Sequence, residues 1–121
     1  MKACLYVGLG GAVGSIMRYL VGLIRLNTTS GFPYKTLAIN LAGAFLIGLI
    51  AAAAERRTDF DPGLVLFLKV GVCGGFTTFS TFAIESTDLI QSGKMGLAIL
   101  YMCLSVVLSV LAVAAAQSCI K

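Results

Sequence analysis

The chain has 121 residues, of which 59% are hydrophobic and 12% are charged, and its mean hydropathy is +0.99. A soluble chain of average composition is about half apolar and about one quarter charged, so this composition excludes an ordinary soluble domain. The net charge of +4 would suggest a nucleic-acid partner in a soluble protein, but the basic residues here mostly flank hydrophobic runs, as interfacial anchors do. We therefore predict a protein of the lipid membrane that binds no nucleic acid.

Four hydrophobic runs make up most of the chain, and each has about the 20 residues that a helix needs to cross a bilayer. The predicted spans are residues 3–26, 36–54, 64–90 and 95–120, separated by polar segments at 27–35, 55–63 and 91–94. The first span has no cleavage site followed by a soluble domain, so a signal peptide is not expected. The pattern predicts an all-α membrane protein with one four-helix transmembrane domain, residues 1–121.

Lysine and arginine are distributed almost evenly between the two sides of the predicted membrane. One side holds Lys2, Arg56, Arg57 and Lys121, with Lys69 at its edge, and the other holds Arg25, Lys35 and Lys94. Since the bias of these residues sets orientation, the chain can insert both ways, and two opposite copies can pair as an antiparallel dimer. The alternative is a weak preference for one orientation, with both termini inside.

The third run contains the heptapeptide GFTTFST at residues 75–81, directly after Gly74. Adjacent glycines weaken a helix, and the hydroxyls of the threonines that follow compete for backbone groups, so we predict a mid-membrane break at this segment. Irregular backbone at this depth must be buried in protein or line a wet cavity, and its carbonyl oxygens can bind a cation. The alternative is an unbroken helix whose threonines bond back to the preceding turn.

Further polar and aromatic residues in the spans are candidates for an anion path. Phe79 and Phe82 share a helix face, and the positive edges of their rings can solvate a small anion, although both can equally be lipid-facing or core residues. The Asn40 amide is a donor suited to an anion or to another helix. Arg18 either draws anions into a vestibule or extends to the interface.

Two other features of the spans have open interpretations. Glu85 can cap the break, pair with a cation or take a proton. A stripe of hydroxyls at i, i+4 and i+8 on the fourth span can line an anion path or bond to other helices. The stripe is formed by Tyr101, Ser105 and Ser109.

Glycine and cysteine in the spans are interpreted as packing residues. Small residues four apart, such as Gly10 and Gly14, permit close helix approach. The cysteines lie singly at no metal-ligand spacing, and the chain has no histidine, so we expect reduced thiols rather than metal or disulfide chemistry. They are Cys4, Cys73, Cys103 and Cys119.

Three segments together resemble the small fluoride channel family known as Fluc or CrcB. They are GGAVGSIMRY at residues 10–19, TLAINLAG at 36–43 and GVCGGFTTFSTF at 71–82, and the resemblance covers essentially the whole chain. It implies a multi-pass protein of a bacterial plasma membrane that exports fluoride passively and relieves fluoride toxicity. It further implies an antiparallel homodimer with two pores and a structural sodium ion at its centre.

The resemblance also implies a role for individual residues. Phe79 and Phe82 would line the fluoride path by their ring edges, Asn40 would hydrogen-bond fluoride, and Arg18 would lie in a vestibule. The segment from Gly74 to Thr77 would unwind, and the backbone carbonyls of Gly74 and Thr77 would hold sodium. Other residues expected to line or support the path are Thr36, Ser80, Thr81, Glu85, Tyr101, Ser105 and Ser109.

Two alternative functions are consistent with four spans. A small multidrug transporter would need a carboxylate in its first span, which has none here, and the chain contains no tryptophan for a recognition surface. A membrane adaptor that transports nothing would leave Asn40, Arg18 and the heptapeptide as packing features. No nucleophile and base are arranged recognisably, so we do not expect an enzyme.

Overall fold

The computed structural model describes residues 1–25, 31–57 and 59–120, and this part of the chain is helical with no strand. Its elements in order are α1 (Lys2–Gly22), α2 (Tyr34–Arg56), α3 (Pro62–Val65), a π-helix (Leu66–Cys73), α4 (Gly74–Phe76), α5 (Phe79–Gln91) and α6 (Met95–Ile120). Four stretches are long and apolar enough to cross a membrane: α1, α2, the third span Pro62–Gln91, and α6. The predicted all-α class with four spans is confirmed.

The ends of the spans differ from the predicted ends by a few residues, for local reasons. α2 begins at Tyr34 rather than at Thr36, directly after Pro33. The third span begins at Pro62 because Asp61 is its N-cap, with Oδ1 accepting the Gly63 N–H at 3.2 Å, and proline is well suited to the first helical position. Residues 27–30 of the predicted first loop, and residue 58 of the second, lie outside the described residues.

A tight turn joins α5 to α6 at the predicted loop 91–94. Gly93 has a φ of +79°, a left-handed conformation that favours glycine. The Gly93 N–H donates to the Ile90 carbonyl at 3.1 Å, and the Lys94 N–H donates to the Leu89 carbonyl at 2.8 Å. This pair of bonds is the Schellman motif, which ends α5 and lets α6 start at once in the opposite direction.

The helices form two packed pairs, α2 against α6 and α1 against the first half of the third span, while α5 also contacts α6. Glycines bring α1 and the third span into backbone contact. A Cβ at Gly75 would lie 2.6 Å from the Gly11 carbonyl oxygen, and a Cβ at Gly71 would lie 2.7 Å from the Gly10 Cα. The interpretation of span glycines as packing residues is therefore confirmed at this crossing.

The third span is broken, as predicted, but the break lies at Thr77 and Thr78 and not at Gly74 to Thr77. Gly74–Phe76 is helical, whereas Thr77 (φ −81°, ψ 158°) and Thr78 (φ −148°, ψ 122°) are extended. The predicted position was wrong because a glycine weakens a helix by only about 1 kcal/mol, and Gly75 is held in the helix by its close contact with α1.

The described cysteines are all free, but only one is buried within the chain. Cys73 is 1% exposed, whereas Cys4, Cys103 and Cys119 lie at the surface of the protomer. The packing interpretation thus holds inside this chain for Cys73 and was wrong for the other three, whose side chains face outward.

Candidate functional site

Asn40 binds both peptide groups of one residue in the break. The Thr78 N–H donates to Asn40 Oδ1 at 2.9 Å, and Asn40 Nδ2 donates to the Thr78 carbonyl at 3.1 Å. The amide side chain therefore replaces the bond that the Thr78 N–H would make in an unbroken helix, and it gives a further donor to the Thr78 carbonyl, which is the N-cap carbonyl of α5. This is the interhelical role that the sequence left open beside anion binding, and the second Nδ2 hydrogen remains a donor.

The carbonyls of Gly74, before the break, and of Thr77, within it, lose their normal helical donors to side chains. In an unbroken helix the Gly74 carbonyl would accept from the Thr78 N–H, but that group donates to Asn40. The Thr77 carbonyl would accept from the Thr81 N–H, but that group donates to Thr78 Oγ1 at 3.2 Å. Carbonyl oxygens that lack a hydrogen-bond donor are suitable ligands for a hard cation such as sodium. The carbonyl oxygens of Gly74 and Thr77 therefore fit the ion that the resemblance implies.

Arg18 contacts the same segment from α1. Its Nε donates to the Gly75 carbonyl at 3.2 Å, and both groups are partly buried. The guanidinium therefore stabilises the carboxyl-terminal end of the helix before the break, where a cation is favoured by the helix dipole.

A groove of about 350 Å³ lies beside the break, between α2, the third span and α6. Its polar side chains are Asn40, Thr77, Thr78, Ser105 and Ser109, and none of the described residues that line it carries a charge. Ser105 is 7% exposed, and its Oγ has no hydrogen-bond partner within the described part of the chain. A buried hydroxyl without a partner can form a hydrogen bond with an ion or molecule that enters the groove.

A second cavity of about 360 Å³, which we call the vestibule, lies on the other side of Thr78. Arg18, Lys35 and Glu85 bring charge to its wall, and Thr36 and Thr81 bring hydroxyls. Lys35 Nζ donates to the Gly22 carbonyl at 3.0 Å. Two cations and one carboxylate give the vestibule a positive balance that favours anions.

A row of aromatic rings runs from the groove toward the start of α2. Phe79 and Phe82 have centroids 5.6 Å apart with planes tilted by 39°, and Phe82 lies 5.1 Å from Tyr101. Phe32 meets Tyr101 edge to face at 5.6 Å. Phe82 is packed against the core, whereas Phe79 is 80% exposed on this protomer.

The hydroxyl stripe of α6 faces inward. Tyr101 is 0% exposed, and its hydroxyl donates to Glu85 Oε1 at 3.2 Å, while Ser105 and Ser109 line the groove. Glu85 is thus a hydrogen-bond acceptor between α5 and α6, a role that none of its three interpretations from the sequence included.

The structure brings the predicted site residues to the walls of the groove or the vestibule, with two exceptions. Ser80 is exposed and lines neither cavity, and Tyr101 is buried and lines neither. Three residues at the site were missed: Thr78, Phe32 and Lys35. The signal for Thr78 was its position three residues before Thr81, which is the spacing of a threonine N-cap; Phe32 and Lys35 lie in a loop-like sequence that carried no such signal.

The fold and the site together define a small multi-pass membrane protein of the channel and transporter class, since broken spans at a polar cavity are typical of ion pathways. The family model described as "CrcB-like protein, Camphor Resistance (CrcB)" matches residues 5–117. The chain belongs to this family.

Curated bacterial proteins named "Fluoride-specific ion channel FluC" are similar to the chain over most of its length. The protein of Flavobacterium psychrophilum is 44% identical over 113 residues, covering 93% of this chain and 91% of that protein. The proteins of Agrobacterium fabrum (44% over 108 residues; 88% and 86% covered) and Leptospira interrogans (46% over 107 residues; 88% and 84% covered) are similar too. Together with the four spans, these relatives confirm the predicted family and a multi-pass location in the plasma membrane.

Proposed function

We propose that the chain is a fluoride-selective channel that lets fluoride leave the cell down its electrochemical gradient and so relieves fluoride toxicity. The observation that carries this proposal is the uncharged groove, which offers an amide and several hydroxyls but no fixed cation among the described residues that line it. Such donors can replace the water around a small anion without holding it as tightly as a charge would. Similarity to proteins named fluoride-specific channels supports the same function.

The proposed path joins the vestibule to the groove. Arg18 attracts the anion into the vestibule, and Asn40 with the edges of Phe79 and Phe82 receives it in the groove. The residues that line or support the path are Thr36, Thr81, Glu85, Tyr101, Ser105 and Ser109.

An antiparallel homodimer with two pores and a central sodium ion completes the proposal. Phe79 is 80% exposed on one protomer, and the groove beside it is open, so a second copy would enclose both. The nearly even distribution of Lys and Arg supports insertion in both orientations. The Gly74 and Thr77 carbonyls would face the ion in each copy. Sodium would then take the place of the N–H groups that these carbonyls would bond in an unbroken helix.

The test is fluoride efflux from liposomes that contain the purified protein, read with a fluoride electrode under a potassium gradient with valinomycin, and repeated with chloride. We expect fast fluoride efflux and no chloride efflux. Phe79→Ile should abolish efflux with little change in protomer stability, because its ring is largely exposed. Absence of fluoride efflux from folded wild-type protein would contradict the channel and favour a membrane adaptor, whereas normal efflux by Phe79→Ile would contradict only the ring-edge role.

A further inference from the structure

The vestibule and the groove meet at Thr78. It is the one described residue that lines both cavities. Its N–H and its carbonyl are both bonded to Asn40, so the backbone at the junction is fixed in place. Any ion that passes between the two cavities along this route must therefore pass the Thr78 side chain.

The Thr78 hydroxyl is bonded to a second hydroxyl on the vestibule side. Thr78 Oγ1 and Thr81 Oγ1 lie 3.1 Å apart, and Thr81 lines the vestibule. Thr78 Oγ1 also accepts the Thr81 N–H at 3.2 Å, which anchors the pair to the first turn of α5. Two hydroxyls carry two hydrogens, and the bond between them uses one, so one hydrogen is always left over.

We propose that Thr78 and Thr81 form a hydroxyl pair that passes fluoride between the vestibule and the groove; this inference rests on the proposed channel function. When Thr78 donates to Thr81, the free hydrogen belongs to Thr81 and is available in the vestibule. When both hydroxyls rotate, Thr81 donates to Thr78, and the free hydrogen belongs to Thr78 at the junction. The pair thus offers a donor to the anion first on one side and then on the other, and it has one internal hydrogen bond in each of the two arrangements.

The test compares fluoride efflux from liposomes for single and double valine substitutions of the full-length protein. Valine keeps the shape of threonine but removes the hydroxyl. Thr78→Val and Thr81→Val should each lower the efflux rate about tenfold or more, as expected when one hydrogen bond to a charged group is lost. The double variant should be no slower than either single variant, because the pair acts as a unit. Thr78→Ser and Thr81→Ser keep the hydroxyls and should restore most of the rate.

A matched control separates this role from capping and from general damage. Thr87 lies on the same helix, is exposed, and bonds only its own preceding turn, with Oγ1 donating to the Ala83 carbonyl at 2.9 Å; Thr87→Val should keep the wild-type rate. Thr81→Val removes a hydroxyl but keeps the Thr81 N–H that bonds to Thr78 Oγ1, so the helix cap stays intact. If only Thr78→Val lowers the efflux rate, Thr78 acts as a helix cap alone, and the hydroxyl pair is contradicted.

Two further results would also overturn the hydroxyl pair. If the fold-loss of efflux rate in the double variant equals the product of the two single-variant losses, the two hydroxyls act independently. A wild-type protein that releases no fluoride would remove the channel itself, and this outcome is distinct because it appears before any variant is compared.

Discussion

At the scale of single residues, Asn40 links α2 to the broken span through both of its amide atoms. Its Oδ1 and Nδ2 lie 2.9 and 3.1 Å from the Thr78 nitrogen and carbonyl oxygen. Buried peptide groups in a membrane must be satisfied within the protein, and here one side chain replaces the lost helical bond of the Thr78 N–H and adds a second bond at the Thr78 carbonyl. Asn40 also lines the groove, and this places its remaining donor beside the proposed anion path.

Asn40→Asp should stop fluoride efflux and destabilise the protein. A carboxylate still accepts from the Thr78 N–H but cannot donate to the Thr78 carbonyl, so two oxygens would face each other. We expect a loss of about 1–3 kcal/mol in the free energy of unfolding, the cost of an unsatisfied buried group. Thermal unfolding in detergent and liposome efflux measure the two effects.

The exposed amide of Gln117 on α6 provides the matched control for the same chemical change. Gln117→Glu should leave both stability and efflux unchanged. If Asn40→Asp behaves like Gln117→Glu, then the Asn40 amide neither supports the break nor serves the anion.

Residue types were easier to predict from the sequence than residue partners. Asn40 and Arg18 stood out because polar groups are costly in a membrane, and both are bonded to the break. Thr78 was missed because a threonine in an apolar run has no conspicuous cost of its own. Its importance comes from lying between two cavities, and sequence spacing does not contain that information.

At the scale of elements, the crossing of α1 with the third span depends on glycines. A Cβ at Gly14 would overlap the Val72 carbonyl oxygen and lie 2.8 Å from the Phe76 nitrogen. Gly8, on the same helix, has nothing within 4 Å of a Cβ position. Two glycines of one helix thus differ in whether the neighbouring backbone leaves room for a methyl group.

Gly14→Ala should destabilise the protein, while Gly8→Ala should not. The added methyl at Gly14 would force α1 away from the third span, at a cost of about 1–3 kcal/mol, as for other overpacked sites. At Gly8 the methyl enters open space, and alanine improves helix propensity by up to about 1 kcal/mol. Thermal unfolding of the two variants in the same detergent compares them directly. Equal stability of both variants would contradict the backbone contact.

The sequence predicted the number, order and approximate limits of the spans, because hydrophobicity and length determine which segments can cross a bilayer. It did not predict the π-helix Leu66–Cys73, since no residue pattern signals that hydrogen-bond register. The predicted break began three residues too early and ended one residue too early, because the prediction considered the local effect of the glycine pair on its own helix and not the helix packed against it.

At the scale of the whole molecule, much of the surface of the protomer is apolar, and most residues of each span are not buried within the chain. Lipid can cover most of this surface, but the peptide groups of the break and the groove cannot face lipid. The proposed second copy and the proposed sodium ion meet this requirement together, at the place where Gly74 and Phe79 are exposed.

Removing sodium should destabilise the protein and slow fluoride efflux. An ion bound only by the folded state stabilises it by about 2.7 kcal/mol when its concentration is about 100 times the dissociation constant. We expect thermal unfolding at a lower temperature, and slower efflux, when sodium is replaced by a large organic cation at equal ionic strength. Identical unfolding temperatures and rates in the two buffers would contradict a sodium site at Gly74 and Thr77.

The position of the break along the chain has a consequence for biosynthesis. Arg18 and Asn40, which bond to the peptide groups at Gly75 and Thr78, both precede the break in the sequence. Because a chain emerges from the ribosome amino terminus first, both side chains are made before the peptide groups that need them. The peptide groups at Gly75 and Thr78 can therefore be satisfied as soon as the third span enters the bilayer. The same break in the first span would leave its peptide groups facing lipid until later spans arrived.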